Sequence, residues 1–198
     1  MDRDRLAQQV AFLVEADKLK TIIRRTPLTD RSRLENSAEH SWHLALAAIV
    51  LREHAPAGID LARVLELTVV HDLVEIYAGD TFAYDATAHQ TKAAREQAAA
   101  DRLFALLPPD QAVHFRERWD EFEAQQTPSA HYANALDRLQ ALLLNMTAGG
   151  GSWTTHRVTR QQVLARMAPV ETALPAVWPL ILDVVERFSA IGAIAADV

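Results

Sequence analysis

The chain has 198 residues, 49% hydrophobic and 23% charged, and its 20 basic and 26 acidic side chains give a formal net charge of -6. This length buries a core without staples, and the absence of cysteine excludes disulfides, thiolate metal sites and cysteine nucleophiles, leaving His, Asp and Glu as the strong metal ligands. A pI near 5.7 argues against a stable nucleic-acid partner. No run of about 18 uncharged apolar residues and no signal-peptide pattern occurs, so a cytoplasmic protein with no membrane partner is expected.

Apolar residues recur at three- and four-residue steps almost throughout, which predicts an all-α fold with no strand. A first amphipathic helix is expected from Leu6 to Arg24, ending before Pro27. Asn36 and Ser37 are N-caps for a second, carrying Trp42 into the core and stopping near Pro56 and Gly58. Asp60 caps a third, Leu61 to Ala78, apolar on most sides and expected to be the central helix, with Gly79 ending it. After a loop over Asp80–Ala88 comes a charged helix from about His89 to Leu107. Pro109 opens the next, to about Gln126, and Thr127 with Pro128 opens one ending near Met146. Gly149, Gly150 and Gly151 form the one flexible run. Thr159 to Ala196 reads as one or two helices interrupted around Pro175 and Pro179. With no repeat and no linker, residues 1–198 are expected to form one domain.

The chemistry concentrates in His71-Asp72-Leu73-Val74-Glu75-Ile76-Tyr77-Ala78-Gly79-Asp80. Neighbouring helical residues diverge by about 100°, so His71 and Asp72 share a ligand only on the side that Glu75 also reaches. Thr68, His71, Asp72 and Glu75 make a polar stripe on an otherwise apolar helix. Buried charge of this kind needs a partner, either opposite charges or a cation. A lone His-Asp pair is as readily a surface or capping pair, but two further segments give it company. These are Glu39-His40-Ser41-Trp42-His43 and Ala135-Leu136-Asp137-Arg138-Leu139-Gln140, with Asp137 beside a mainly apolar face. Two imidazoles and two carboxylates from three helices would make a mixed N/O site suited to Mn²⁺, Co²⁺, Fe²⁺, Ni²⁺ or Zn²⁺, and less naturally to Mg²⁺.

The order His40, His71-Asp72, Asp137 on a helical background resembles the HD-domain metal-dependent phosphohydrolases. The phrases Asp17-Lys18-Leu19-Lys20, Glu39-His40-Ser41-Trp42-His43, His71-Asp72-Leu73-Val74-Glu75 with Gly79-Asp80, Trp119-Asp120-Glu121-Phe122-Glu123 and Leu136-Asp137-Arg138-Leu139-Gln140 narrow the match. They resemble the branch of bacterial 5'-deoxynucleotidases and oxetanocin-type phosphohydrolases. The resemblance spans about residues 10–170 and implies a single-domain helical bundle, with the C-terminal helices of 159–196 packed on it. It also implies one divalent metal held by His40, His71, Asp72 and Asp137, with Glu75 and Asp80 acting near the reacting phosphate and water. A nucleotide substrate and a homodimer or higher homo-oligomer follow from it as well. Where the bacterial enzymes carry an Arg-Trp pair for the sugar, this chain reads Ile23-Arg24-Arg25-Thr26-Pro27; the basic residue is present and the Trp is not, so selectivity for the deoxy sugar is not implied.

Between Lys18 and Arg33 six cations face one acid, Asp30. Guanidinium forks match phosphate oxygens, so Arg24 and Arg25 are candidate phosphate ligands, and a solvated helix end is the plain alternative. His89 or His114 could serve a second metal, although nothing in their spacing selects them. Ser41 lies in no glycine-rich elbow, so it is not a nucleophile candidate. The expected activity is metal-dependent removal of phosphate from a (deoxy)nucleoside 5'-monophosphate. The alternatives are a hydrolase of a cyclic or pyrophosphate-bearing nucleotide, or a non-catalytic helical module whose metal is regulatory or structural.

Overall fold

The computed structural model describes residues 3–197. In chain order these form α1 (Arg3–Ala16), a 3-10 turn (Asp17–Thr21), β1 (Ile23–Pro27), β2 (Leu34–Asn36), α2 (Ser37–Val50), α3 (Leu61–Val70), α4 (Glu75–Ala78) and α5 (Ala86–Phe104). They continue as α6 (Pro109–Ala124), α7 (Pro128–Thr147), α8 (Gly151–His156), α9 (Arg160–Ala173) and α10 (Trp178–Ala190).

Capping chemistry fixes the starts of five of the ten α-helices among the described residues. The side chains of Asn36, Asp60, Asp85, Thr127 and Thr159 each accept an amide hydrogen from the first turn that follows them. At Asn36 the bond is reciprocal: Glu39 N donates to Asn36 Oδ1 and Asn36 N donates to Glu39 Oε2, a capping box that sets the phase of α2. That phase turns Ser37, His40, Ser41, Leu44 and Ala48 inward.

Several expectations need correction. The first helix stops at Ala16, and Ile23–Pro27 pairs antiparallel with Leu34–Asn36. The β-branched run Thr21-Ile22-Ile23 fits a strand better than a helix, and the pairing brings Arg24 beneath the bundle. The helix expected over residues 61–78 breaks at His71. There Thr68 O accepts the His71 ring N–H, and the amides of Leu73, Glu75 and Ile76 bond three residues back, a tighter winding than the α-helix. The central helix is α7, with thirteen buried residues, whereas α3 leaves Val69 exposed. Trp42 is 65% exposed and stacks on His43 rather than entering the core. Gly149–Gly151, expected to be flexible, is a tight turn: all three have positive φ, and Gly150 has Thr154 and Ala193 where a side chain would stand. Pro179 lies in the first turn of α10, where its missing N–H costs nothing.

Two apolar clusters result. The larger joins α7 to α2, α3, α9 and α10 through residues such as Leu44, Leu67, Leu136, Trp153 and Ile181. The smaller joins α1, α5 and α6 through Phe12, Leu103, Phe104 and Trp119. Two stripes lie outside both. Leu6, Val10, Leu13 and Val14 on α1, and Trp42, Leu46, Ile49 and Val50 on α2, share the spacing i, i+4, i+7, i+8 and face solvent.

Because the Asn36–Glu39 box phases the helix that carries His40, Asn36→Ala should cost about 1 kcal/mol. At this chain length that lowers Tm by roughly 2–4 °C. Thermal unfolding followed by circular dichroism checks it, and an unchanged Tm would mean that the box adds nothing.

Candidate metal centre

His40 projects from α2, His71 and Asp72 from the turn between α3 and α4, and Asp137 from α7. His40 is fully buried, and His71 and Asp137 are nearly so. His40 Nε2 lies 3.0 Å from Asp137 Oδ1 and 3.9 Å from Asp72 Oδ2, and His71 Nε2 lies 3.1 Å from Asp72 Oδ1. Donor atoms of His40, His71 and Asp72 all fall within 4.8 Å of one another.

Which nitrogen of each ring carries the proton follows from the outer partners. His71 Nδ1 faces the carbonyl of Thr68 at 2.9 Å, and a carbonyl only accepts, so Nδ1–H donates. Gln140 turns its amide nitrogen to the Glu35 carboxylate, so its oxygen faces His40, and His40 Nδ1 donates to it at 2.9 Å. Both imidazoles therefore hold their Nε2 atoms toward carboxylates. His71 Nε2 is buried and makes no hydrogen bond. Two lone pairs confronting two carboxylates repel unless a proton or a metal ion lies between them, and ring N–H groups anchored to outer acceptors are what a metal-binding His requires. The donor set of two nitrogens and two carboxylates fits a divalent ion.

Other cations already stand in the cluster. Arg24 Nη1 donates to Asp72 Oδ2 at 2.9 Å, and the same guanidinium lies 3.9 Å from both Asp80 Oδ1 and Asp137 Oδ1 and 3.5 Å from Glu35 Oε2. Arg166 Nη2 donates to Asp137 Oδ2 at 3.0 Å. Both answers to the polar stripe, opposite charges and an ion-binding geometry, are thus present together. Burial opposes the charge on Arg24, but Asp72, Glu75, Asp80 and Asp137 outweigh it and raise the pKa. Burial and Arg24 likewise disfavour a charged His40, yet Asp137, Glu35 and Asp72 carry its pKa up to about 9. Burial would raise Asp72 and Asp137. The adjoining His71 ring and the Arg24 guanidinium hold Asp72 below the usual range, and the His40 hydrogen bond with the Arg166 charge does the same for Asp137.

Glu75 does not pair with an arginine at hydrogen-bond distance. Ser37 Oγ donates to its Oε2 at 2.6 Å, and burial together with the neighbouring Asp72 charge drives its pKa well up. Asp80 is raised for the same first reason, partly offset by Arg24.

Arg24, His71, Asp72, Glu75, Asp80 and Asp137 line one end of a cavity of about 270 Å³ that also takes in Arg25, Lys92, Glu123, Arg138 and Arg166, with His40 buried behind Asp137. Arg24 and Arg25 are the two members of the Lys18–Arg33 cation run on this wall; Arg25 is exposed at it. Lys18, Lys20 and Arg33 instead pair with Glu15, Asp17 and Glu39 on the surface. His89 lies on the cavity wall with its Nε2 3.2 Å from Ala83 O, while His114 pairs with Glu66 away from it, so the two histidines do not meet at a second cluster. Ser41 donates to Ser37 O within its own helix.

Sequence reasoning assigns no site role to Glu35, Ser37, Gln140 or Arg166, and Ser37, an N-cap candidate there, is the first residue of α2 behind the Asn36 cap. Gln140 had one legible sign, its place three residues after Asp137 on the same helical face. Glu35 and Arg166 had none, because strand pairing and the packing of α9 on α7 bring them in.

A family model described as HD domain matches residues 16–178. The chain belongs to the HD-domain family. A crystal structure titled as a predicted metal-dependent phosphohydrolase from Magnetospirillum magnetotacticum has this HD-domain fold at a TM-score of 0.92, with 46% identity over 96% of each chain. A 5'-deoxynucleotidase of Yersinia pestis is 26% identical over 170 residues, 80% of this HD-domain chain and 85% of the relative. The 5'-deoxynucleotidase HDDC2 of Homo sapiens is 29% identical over 111 residues, 56% and 53% of the two chains. The chain thus spans about half the length of the HDDC2 relatives it matches.

The His40 pKa gives a signed expectation for metal-free protein. The folded value of about 9 exceeds the ordinary 6.5, so the stabilising charge is fully present below pH 6.5 and is lost as pH rises through 9, a change of about 3 kcal/mol. Glu75, also raised, acts in the same direction. The Tm of chelator-treated protein should fall from pH 6.5 to 9. Saturating Mn²⁺ should remove that fall, because metal ligation needs the deprotonated rings and strengthens with pH. A Tm independent of pH in the stripped protein would contradict the placement of His40 among carboxylates.

Proposed function

We propose that this HD domain is a divalent-metal-dependent phosphoric monoester hydrolase that removes the 5'-phosphate from a (deoxy)nucleoside monophosphate. The single observation that carries the reading is the opposition of two buried Nε2 atoms to two carboxylates at the end of a cation-lined cavity. The names borne by the Yersinia, human and Magnetospirillum proteins support it.

His40, His71, Asp72 and Asp137 would hold the ion, and their mixed nitrogen and carboxylate set favours Mn²⁺, Co²⁺, Ni²⁺, Fe²⁺ or Zn²⁺ over Mg²⁺. A bound divalent ion supplies Lewis acidity at a phosphate oxygen and acidifies water. The rest falls to the chain. Arg24, with Arg25 at the rim, presents guanidinium donors to the phosphate oxygens. Glu75 accepts a proton at the carboxylate that Ser37 orients, and a carboxyl shifted upward in pKa is better matched to proton transfer near neutral pH. Asp80, 3.9 Å from Arg24, keeps that guanidinium directed into the site.

The remaining expectations are of the same standing. The chain works as one domain, since α7 packs on α2, α3, α6 and α9 alike. No helix among the described residues is long and apolar enough to cross a membrane, in keeping with a cytoplasmic enzyme. The exposed stripes on α1 and α2 support a homodimer or higher homo-oligomer. Trp42→Glu should shift the mass measured by light scattering toward the monomer, and an unchanged mass would leave the α2 stripe out of the interface.

The decisive activity test is phosphate release from every ribo- and deoxyribonucleoside 5'-monophosphate, repeated with Mn²⁺, Co²⁺, Ni²⁺, Zn²⁺ and Mg²⁺. Release from at least one is expected, and none under any metal would sink the proposal. Asp72→Asn and Asp137→Asn should lose metal and activity together; full metal content with normal turnover in either would remove that carboxylate from the ligand set. Glu75→Gln keeps the shape and cannot take the proton. It should retain fold and metal while kcat drops about 10²–10⁴-fold with little change in substrate affinity. Normal kcat in a metal-loaded variant would take Glu75 out of the mechanism.

A further inference from the structure

Glu35 is a buried carboxylate that is neither in the ligand set nor in the proton-transfer step. Its place follows from the two-stranded ribbon: Ile23 pairs with Asn36, which brings the next residues along, Arg24 and Glu35, together across the strands. One oxygen is occupied, since Gln140 Nε2 donates to Oε1. The other, Oε2, is buried and accepts no hydrogen bond, and Arg24 Nε is buried and donates none. These two atoms face each other at 3.5 Å, just beyond the usual N–H···O length. His40 Nδ1 lies 3.6 Å from the same Oε2 but already donates to Gln140. Arg24 Nε is therefore the donor left for it.

Among the described residues, the 2.9 Å bond from Arg24 Nη1 to Asp72 Oδ2 is the only hydrogen bond that this guanidinium makes to a carboxylate. Asp72 is also one of the residues that would hold the ion, and a carboxylate turned to a metal no longer holds the arginine. Asp80 and Asp137 stand 3.9 Å off. A buried guanidinium released in this way is costly to keep and loses its aim. We propose that Glu35 is a positioning residue that takes Arg24 over from Asp72 when the ion site is filled. The Nε–Oε2 gap closes to a hydrogen bond, and the Nη1–Nη2 edge stays turned to the cavity, where it can fork onto phosphate oxygens. Glu35 also fixes Gln140, which accepts from His40 Nδ1, so one carboxylate braces both the ring at the ion and the guanidinium at the anion. The anion that Arg24 grips rests on the phosphomonoesterase reading, whereas the contact of Arg24 with Glu35 does not.

The test is a double-mutant cycle read by calorimetry. Inorganic phosphate is titrated into the Mn²⁺-loaded wild type, Glu35→Gln, Arg24→Ala and the double variant, and Mn²⁺ affinity is measured separately on each. Glu35→Gln keeps an oxygen for Gln140 and withdraws the charge from Arg24. It should weaken phosphate binding about tenfold or more, change Mn²⁺ affinity by less than about threefold, and cost no more than about twofold once Arg24 is already Ala. Glu35→Asp, with the charge one methylene further back, should fall between wild type and Glu35→Gln. Unchanged phosphate affinity in Glu35→Gln would overturn the proposal. So would a loss just as large in the Arg24→Ala background, or a matching loss of Mn²⁺ affinity, either of which would make Glu35 a brace of the fold alone. Should Glu35→Gln not fold, Glu35→Asp carries the same cycle. A crystal structure of the Mn²⁺-loaded wild type separates the two readings: Arg24 Nε should lie within hydrogen-bond distance of Glu35 Oε2. With that contact formed, a wild type that binds no phosphate would count against the phosphomonoesterase reading and not against the hand-over. An ion on Asp72 with Arg24 turned away from Glu35 would overturn the hand-over itself.

Discussion

Everything at the centre of this molecule depends on two imidazole rings that cannot turn away from acid groups. Thr68 and Gln140 each accept a ring N–H, and this leaves the Nε2 atoms of His71 and His40 facing Asp72 and Asp137 at about hydrogen-bond distance. Enclosed as they are, such groups are stable only with a cation or proton among them. The fold meets that demand from several sides. Arg24 comes from a strand, Arg166 from α9, and the high His40 pKa supplies a proton when no ion is present. An ion entering here displaces a proton and joins charges that are already assembled.

The helices are arranged so that this constraint can be met. The capping box at Asn36 and Glu39 sets which face of α2 carries His40 inward. The tightened winding after Val70 lets His71 and Asp72 address one point, although a regular helix would diverge them. Asp137 and Gln140 share a face of the most buried helix, one contributing to the inner cluster and the other anchoring the ring of His40.

How much of this was legible in the sequence varied with the kind of signal. Helix starts were readable wherever a cap residue preceded an apolar run, as at Asn36, Asp60 and Thr127, because capping is local chemistry. The HD-domain family was readable from a few spaced phrases, and the structure brings His40, His71, Asp72, Glu75, Asp80 and Asp137 to one cavity wall or its immediate floor. What failed was whatever depends on distant partners. The strand at Ile23–Pro27 exists because Leu34–Asn36 returns beside it, and a helical period over Leu19, Ile22 and Ile23 cannot reveal that. Trp42 and the α1 stripe carry core-like residues on faces that no element among the described residues covers. Glu35 and Arg166 reach the site only through tertiary packing, so no spacing in the sequence announces them.

The claim on which the rest stands is that His40, His71, Asp72 and Asp137 converge on one divalent ion. Crystals of the protein loaded with Mn²⁺, measured above the manganese absorption edge, test it without reference to any substrate. The account predicts one strong anomalous peak within bonding distance of His40 Nε2, His71 Nε2 and a carboxylate oxygen from each of Asp72 and Asp137, with Arg24 no longer in contact with Asp72. An Mn²⁺-soaked crystal with no peak there, and Arg24 still bonded to Asp72, would contradict it and make the cluster a buried ion-pair network.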